Sequence, residues 1–389
     1  MSDDIVTLCL PKRTYAGVGA VTRAAGAARE LGARSVFVFT DRALVATGAL
    51  DRLVQTLTTE SLAVTVFDDT EPEPTVAAVG RAAVALNNAA DSDLLVSLGG
   101  GSVIDTAKCA NVLALNGGAL TDYEDGATAP HEISRLLPHV VIPTTAGTGS
   151  EASVWAVFVD QQRHVKNAIS DPRLIADVAI LDPALTTTLP PRSTAGTGMD
   201  ALTHAVEASV SQFASPLTDA LAAQAVALIA RSLRRAVVAG DDLEARADLL
   251  LGSFLAGAAF SNSSCGLVHT LSEALGGFFR TPHGVTNGLL LAPVMEFNRR
   301  AAPERFAQLA AGLGVDVTGL TTDEAGRGAV AAVRQLAADI GLSETLRDLG
   351  VGRDDLAALA DAAAEWAGES GNPREADEAQ ILALYEEAF

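Results

Sequence analysis

Lysine is nearly missing from this chain of 389 residues: it stands only at Lys12, Lys108 and Lys166, and every other cation is an arginine. Basic residues as a whole are outnumbered by acids, 27 against 48, which leaves a formal charge of −21. A protein that neutralises backbone phosphates needs the opposite surplus, so nucleic acid is excluded as an expected partner. No run reaches the roughly eighteen consecutive apolar residues of a membrane helix, and Met1-Ser2-Asp3-Asp4 places acids where a secretion signal carries cations. A cytoplasmic protein with no membrane partner is therefore expected. Cysteine is scarce too: Cys9, Cys109 and Cys265 are odd in number and widely spaced, so neither a disulfide framework nor a thiolate zinc knuckle is implied and reduced thiols are expected.

What is present is a globular composition, 49% hydrophobic and 19% charged, without internal repeats or low-complexity tracts, enough for one large core or two moderate ones. Where arginine is the default cation, a lysine that remains is a candidate for a role that needs a compact ammonium.

The first half alternates β-branched or aromatic runs with Ala-rich helical stretches. The runs are Ser35–Thr40, Ala63–Asp68, Leu94–Leu98 and His139–Pro143, followed by Val154–Asp160 and Val178–Leu181. Such alternation predicts a parallel sheet covered by helices on both faces, with ligands at the strand ends. After Asp182-Pro183 strand signals stop. Amphipathic helices are predicted over Leu217–Val238, Leu243–Phe260, Pro303–Leu313, Asp323–Ile340 and Asp354–Trp366. The expected organisation is an α/β domain over 1–182 and an all-α domain over 183–389.

Gly99-Gly100-Gly101-Ser102 closes one strand run and opens a helix, with Ser102 and Asp105 at capping-box spacing. Glycines there let the backbone approach a pyrophosphate, whose charge suits the free amides of a helix start; a tight turn is the alternative. Thr144, Thr145 and Ser150 lie in a second Gly- and hydroxyl-rich loop, and two such loops on neighbouring strands suit a dinucleotide. Asp41, just past a strand, can accept hydrogen bonds from a ribose diol and repel a 2′-phosphate, or simply cap a helix. Asp200 and His204 are four apart and share a helical face. His269 stands in a helical run and His283 in a Pro-His-Gly turn. Singly these are ordinary polar residues. As a set, one carboxylate and three imidazoles in apolar, Gly-punctuated segments form a site suited to Fe(II) or Zn(II), whereas calcium needs more oxygens.

Four ordered motifs, GGGSVIDTAK at Gly99–Lys108, IPTTAGTGSEAS at Ile142–Ser153, GMDALTHAVEA at Gly198–Ala208 and GLVHTLSEALGGFFRTPHG at Gly266–Gly284, together with Asn372-Pro373-Arg374, resemble the iron-containing, group III alcohol dehydrogenase family over essentially the whole chain. The resemblance implies a Rossmann-like nucleotide-binding domain followed by an all-α domain, the architecture shared with dehydroquinate synthase, with a metal in the cleft between them. It implies NAD(H) and one divalent metal, Fe(II) or Zn(II), as cofactors and a homodimer or larger homo-oligomer as the assembly. It carries metal ligation onto Asp200, His204, His269 and His283, and nucleotide binding onto Gly99, Gly100, Gly101, Ser102, Thr144, Thr145, Ser150 and Lys166. Where the family commonly has a second histidine four residues after the first cleft histidine, this chain has Glu273, which cannot do imidazole's work at the same pKa. With Arg280, three residues before His283, it makes the pair expected to contact substrate. The expected activity is hydride transfer between nicotinamide and a small aldehyde or ketone, with an anionic oxo-acid or phosphonate-bearing aldehyde such as phosphonoacetaldehyde as the favoured class. Rival expectations are a maleylacetate reductase-like enzyme, against which the full ligand set argues, a dehydroquinate synthase-like lyase, against which the lysine scarcity argues, and an altered cofactor-binding paralogue.

Overall fold

The computed structural model describes residues 5–125, 131–163, 165–279, 281–368 and 370–389. The chain divides into two compact units, one formed by Leu10–Thr145 and Ser150–Thr188, the other by Leu189–Phe389 with Ala146–Gly149 and the segment ending at Cys9.

In the first unit the described strands are β1 (Arg13–Ala16), β2 (Ser35–Phe39), β3 (Ala63–Phe67), β4 (Leu94–Gly99), β5 (His139–Pro143), β6 (Trp155–Asp160), β7 (Val165–Ser170) and β8 (Val178–Leu181). Six form a sheet in the order β1-β8-β5-β4-β2-β3, every pair parallel, while β6 and β7 form an antiparallel hairpin. Helices α1 (Ala24–Glu30), α2 (Arg42–Ala46), α3 (Ala49–Thr59), α4 (Val76–Asn88) and α5 (Gly101–Asn116) connect the strands. Successive side chains of a strand point to opposite faces. Val36, Val38, Leu94, Val96 and Leu98 accordingly share one core with Leu53 and Leu57 of α3, whereas Phe37, Phe39 and Leu95 share another with Val103 and Ala107 of α5. Burial on both faces is why these strands read as nearly continuous apolar runs.

The sequence expectations missed two strands. β1 has little β-branched character and is held as an edge by its ladder to β8; β7 contains Lys166 and Asn167 and is fixed by pairing with β6. Both owe their conformation to partners that a local pattern does not show.

The second unit's described helices are α6 (Pro191–Val210), α7 (Pro216–Val238), α8 (Leu243–Ser261), α9 (Leu267–Phe278), α10 (His283–Asn298), α11 (Pro303–Gly312), α12 (Thr322–Asp339), α13 (Leu356–Ala367) and α14 (Glu378–Ala388). Helix α6 packs against α7, α8 and α10, and α9 against α10 and α13. A Cβ on Gly284 would lie 2.3 Å from the Gly196 carbonyl oxygen, so only glycine lets the first turn of α10 come this close to α6. The expected Pro-His-Gly turn is therefore a helix start: Pro282 is the N-cap and His283 the first residue of α10.

Candidate active site

Helices α6, α9 and α10 bring the four expected metal ligands together. Asp200 Oδ1 lies 4.0 Å from His204 Nδ1, 3.8 Å from His269 Nε2 and 3.7 Å from His283 Nε2. These separations are too long for hydrogen bonds. The donor atoms of Asp200, His269 and His283 lie within 4.8 Å of one another, near the roughly 3.4 Å that separates two ligands each about 2.1 Å from a tetrahedral cation, while His204 forms a second such group with Cys265 and His269. His204 Nδ1 is buried and has no hydrogen-bond partner. A buried lone pair without a donor is costly, and a cation removes that cost. The donor set, one carboxylate and three imidazoles, fits Fe(II) or Zn(II).

The rings are held from outside. His204 stacks on Phe260 with centroids 4.2 Å apart and on His269 at 4.4 Å, and it hydrogen-bonds the Gly147 backbone. Burial pushes its pKa down to about 4, which keeps the ring neutral and able to donate a lone pair. Glu207 Oε2 sits 2.5 Å from His269 Nδ1 while its Oε1 accepts from the Val268 amide at 2.6 Å. A carboxylate only accepts, so His269 carries its proton on Nδ1 and turns Nε2 toward Asp200. Ser272 Oγ meets His283 Nδ1 at 3.1 Å.

Glu207 was not singled out in the sequence. Its only signal is a carboxylate three residues after His204 in an apolar helix. Together with Asn372, whose Oδ1 accepts from the Leu267 amide, it satisfies the amides at the start of α9 and places negative charge at the positive end of that helix. The motif residue Asn372 thus acts on the site through the helix that carries His269.

The nucleotide-loop residues gather at the strand ends of the sheet unit. Gly99 ends β4 and Gly101 begins α5, whose N-terminus carries no side-chain cap. A Cβ on Gly99 would fall 2.4 Å from Val103, and one on Gly100 would lie 3.2 Å from the Thr145 side chain, so the two loops are neighbours. Thr144 donates its amide to the Gly99 carbonyl at 3.0 Å. This uncapped, side-chain-free helix start fits a pyrophosphate. The anticipated capping box is absent: Ser102 Oγ instead accepts from the Glu73 amide at 3.1 Å, and Asp105 is buried beside Ser150. Ser150 is buried and gives its carbonyl to Lys108. Lys166 lies on β7, close enough for its charge to act on Asp105. Asp41 caps α2, its Oδ1 accepting from the Leu44 amide at 2.9 Å.

Glu273 is exposed on α9, one helical turn beyond His269, and its charge acts on the Cys265 thiol, which burial pushes up to about 11. Arg280 lies outside the described residues. Among the described residues no helix is long and apolar enough to cross a membrane.

The sequence matches two family profiles, "Iron-containing alcohol dehydrogenase" over residues 11–183 and "Fe-containing alcohol dehydrogenase family, C-terminal" over residues 194–389. It is 40% identical over 386 residues to the long-chain-alcohol dehydrogenase 1 of Geobacillus thermodenitrificans, covering 99% of this chain and 97% of that one. The fold superposes on a crystal structure of 1,3-propanediol oxidoreductase with a TM-score of 0.94 at 38% identity, covering 99% of this chain and all of the other. It also superposes on the sulfoacetaldehyde reductase of Bifidobacterium kashiwanohense in complex with NAD+, with a TM-score of 0.88 at 28% identity and 99% coverage of both chains. With both profiles matched and near-complete coverage by relatives, the chain belongs to the iron-containing alcohol dehydrogenase family and is an oxidoreductase of the alcohol dehydrogenase and aldehyde reductase type.

Proposed function

We propose that the protein is a metal-dependent, NAD(H)-linked reductase of small aldehydes, running as an alcohol dehydrogenase in the reverse direction. The observation that carries this is the set of three imidazole nitrogens 3.7–4.0 Å from Asp200 Oδ1, with His204 Nδ1 buried and unpartnered. When bound, the cation supplies Lewis acidity to the substrate oxygen and the nicotinamide supplies or accepts a hydride. Asp200, His204, His269 and His283 hold the ion, Fe(II) before Zn(II), and Glu207 fixes the ring of His269. The amides of Gly101 and Ser102, with Thr144 and Thr145, take the pyrophosphate, and Lys166 and Asp41 take ribose hydroxyls. Glu273, exposed to water, passes the proton of the substrate hydroxyl to and from solvent. The working assembly is a homodimer or larger homo-oligomer in the cytoplasm. Steady-state assay of metal-reconstituted protein with NADH and a panel of aldehydes is expected to show turnover; no turnover with any of them overturns the reading.

Preference for NADH over NADPH rests on the charge of Asp41. Because Asp41 also caps α2, Asp41→Asn is the cleaner variant: asparagine caps as well as aspartate but is neutral. It is expected to raise kcat/KM for NADPH by about tenfold, the effect of about 1.4 kcal/mol of relieved repulsion, with little change in melting temperature. Equal efficiency of the parent enzyme with both cofactors would refute this role.

For the substrate we favour an anionic aldehyde, phosphonoacetaldehyde or a short oxo-acid. A divalent cation with one anionic ligand leaves net positive charge. Arg280, three residues before His283 in sequence, adds a planar fork suited to a carboxylate or phosphonate, and a sulfoacetaldehyde reductase is among the similar structures. Arg280→Ala is expected to raise KM for phosphonoacetaldehyde by about tenfold or more while leaving a neutral aldehyde of similar size nearly unaffected. Selectivity for the charged aldehyde that is absent, or survives the substitution, removes Arg280 from this role.

A further inference from the structure

Asn287 stands four residues after His283, on the same face of α10, and its side chain is fully buried. Its Nδ2 lies 2.7 Å from Asp200 Oδ1, 3.2 Å from His269 Nε2 and 3.2 Å from His283 Nε2. One NH2 group, with two hydrogens, is therefore shared among three acceptors, and those acceptors are three of the four atoms assigned to the ion. Its own Oδ1 is buried without a partner.

A lone pair cannot serve an N–H and a cation at once. Because Glu207 holds the proton of His269 on Nδ1, the Nε2 lone pair of that ring is what the amide uses and what an ion would use. An ion among these atoms withdraws the acceptors and sets positive charge beside hydrogens that are themselves positive. The amide oxygen, left without a donor, is then the favourable end to face inward.

We propose that Asn287 is a positioning residue for metal loading. Its amide N–H groups cross-link Asp200, His269 and His283 in the ion-free protein, and on metal entry the amide turns about its terminal torsion to bring Oδ1 toward the cation. Asn287 thereby keeps three ligands from two other helix segments and its own preassembled while the site is empty, and yields them without moving the backbone. This rests on the metal reading above but makes a separate claim, about an exchange of hydrogen bonds by one side chain.

The test uses the full-length protein labelled with 15N in asparagine side chains, prepared metal-free and titrated with Zn(II), with Asn287→Leu used to assign the signal. In the metal-free protein the two Asn287 amide protons are expected to be shifted and protected from exchange. Both are expected to move and lose that protection on adding one equivalent of Zn(II). Amide signals that stay in place while Zn(II) binds overturn the role of Asn287 and leave the metal site standing; failure to bind any Zn(II) or Fe(II) overturns both. Thermal melts give a second reading that does not depend on assignment. Asn287→Leu is expected to lower the melting temperature of the metal-free protein by about 5 °C and that of the loaded protein by less than half as much, and equal losses in both states count against the exchange. Asn287→Asp puts a second carboxylate beside Asp200, so it is expected to destabilise the metal-free protein and bind Zn(II) more tightly than the parent. Weaker binding with an unchanged metal-free melting temperature contradicts the proposal.

Discussion

Replacing His269 by alanine is expected to strip the protein of its divalent ion and lower kcat/KM by about 10³-fold, the equivalent of about 4 kcal/mol of lost transition-state stabilisation. His269 is central for two reasons. Its Nε2 faces Asp200 Oδ1 at 3.8 Å, and its Nδ1 is held by Glu207, which also satisfies the Val268 amide. Alanine removes the ligand and leaves Glu207 Oε2 without its ring partner inside the helical unit. A modest fall in melting temperature should accompany the loss of metal. Glu207→Gln separates the two effects: the ligand stays, its orienting carboxylate becomes a neutral amide, and metal affinity is expected to drop about 10- to 100-fold. Metal content by elemental analysis, circular dichroism and steady-state kinetics on each variant measure these outcomes. Purified enzyme that turns over without bound metal and resists chelators would refute the assignment of all four ligands.

The second large effect is expected at Lys108. Lys108→Met should lower the melting temperature by about 6–20 °C. The ammonium is 1% exposed and donates to three backbone carbonyls, Ser150 at 2.7 Å, Ser153 at 2.8 Å and Trp155 at 2.9 Å. It ties α5 to the chain entering β6. Burial pushes its pKa down to about 8, against the opposing pull of Asp105 and Glu151, and burial likewise pushes Asp105 up to about 6 and Glu151 up to about 7. Methionine preserves the volume of the stem but takes a donor from each of the three carbonyls, leaving Ser150 and Trp155 only their weaker bonds from Ser153, and removes the buried cation beside Asp105 and Glu151. That is a loss of about 3–5 kcal/mol, and a cooperative unit of about 150–250 residues, the size class of the sheet unit that holds Lys108, loses about 2–4 °C per kcal/mol. Lys108→Arg should also destabilise, because a planar fork cannot aim at three convergent carbonyls as a tetrahedral ammonium does. Calorimetry on the two variants decides it, and a melting temperature within 2 °C of the parent for Lys108→Met would show that the three bonds contribute little.

Lysine scarcity was a visible mark in the sequence, and at Lys108 it has a concrete cause: a compact cation reaching three carbonyls. The mark itself did not say what the ammonium would touch. The carbonyls belong to a segment 42 to 47 residues away, beyond any local spacing rule. The same division runs through the fold. Alternating apolar runs identified the buried strands β2, β4, β5 and β8, because burial on both faces leaves a local signature. Edge strand β1 and hairpin strand β7 carry no such signature and exist through their ladders.

At the site, the sequence by itself determined which side chains were available. Asp200 and His204 share a face because four residues make about one helical turn, and the ordered motifs carried the resemblance that joined His269 and His283 to them. Only the tertiary structure decided that these four converge and how each is oriented. Gly284 against the Gly196 carbonyl lets α10 approach α6 closely; Glu207, 62 residues from His269, chooses which nitrogen of that ring is free; Asn287 completes the cluster from 87 residues beyond Asp200. Helical periodicity encodes neighbours within one element. The separation and hydrogen-bonding of groups on different helices depend on how closely those helices pack, which is a property of the whole unit and not of any short stretch of its sequence.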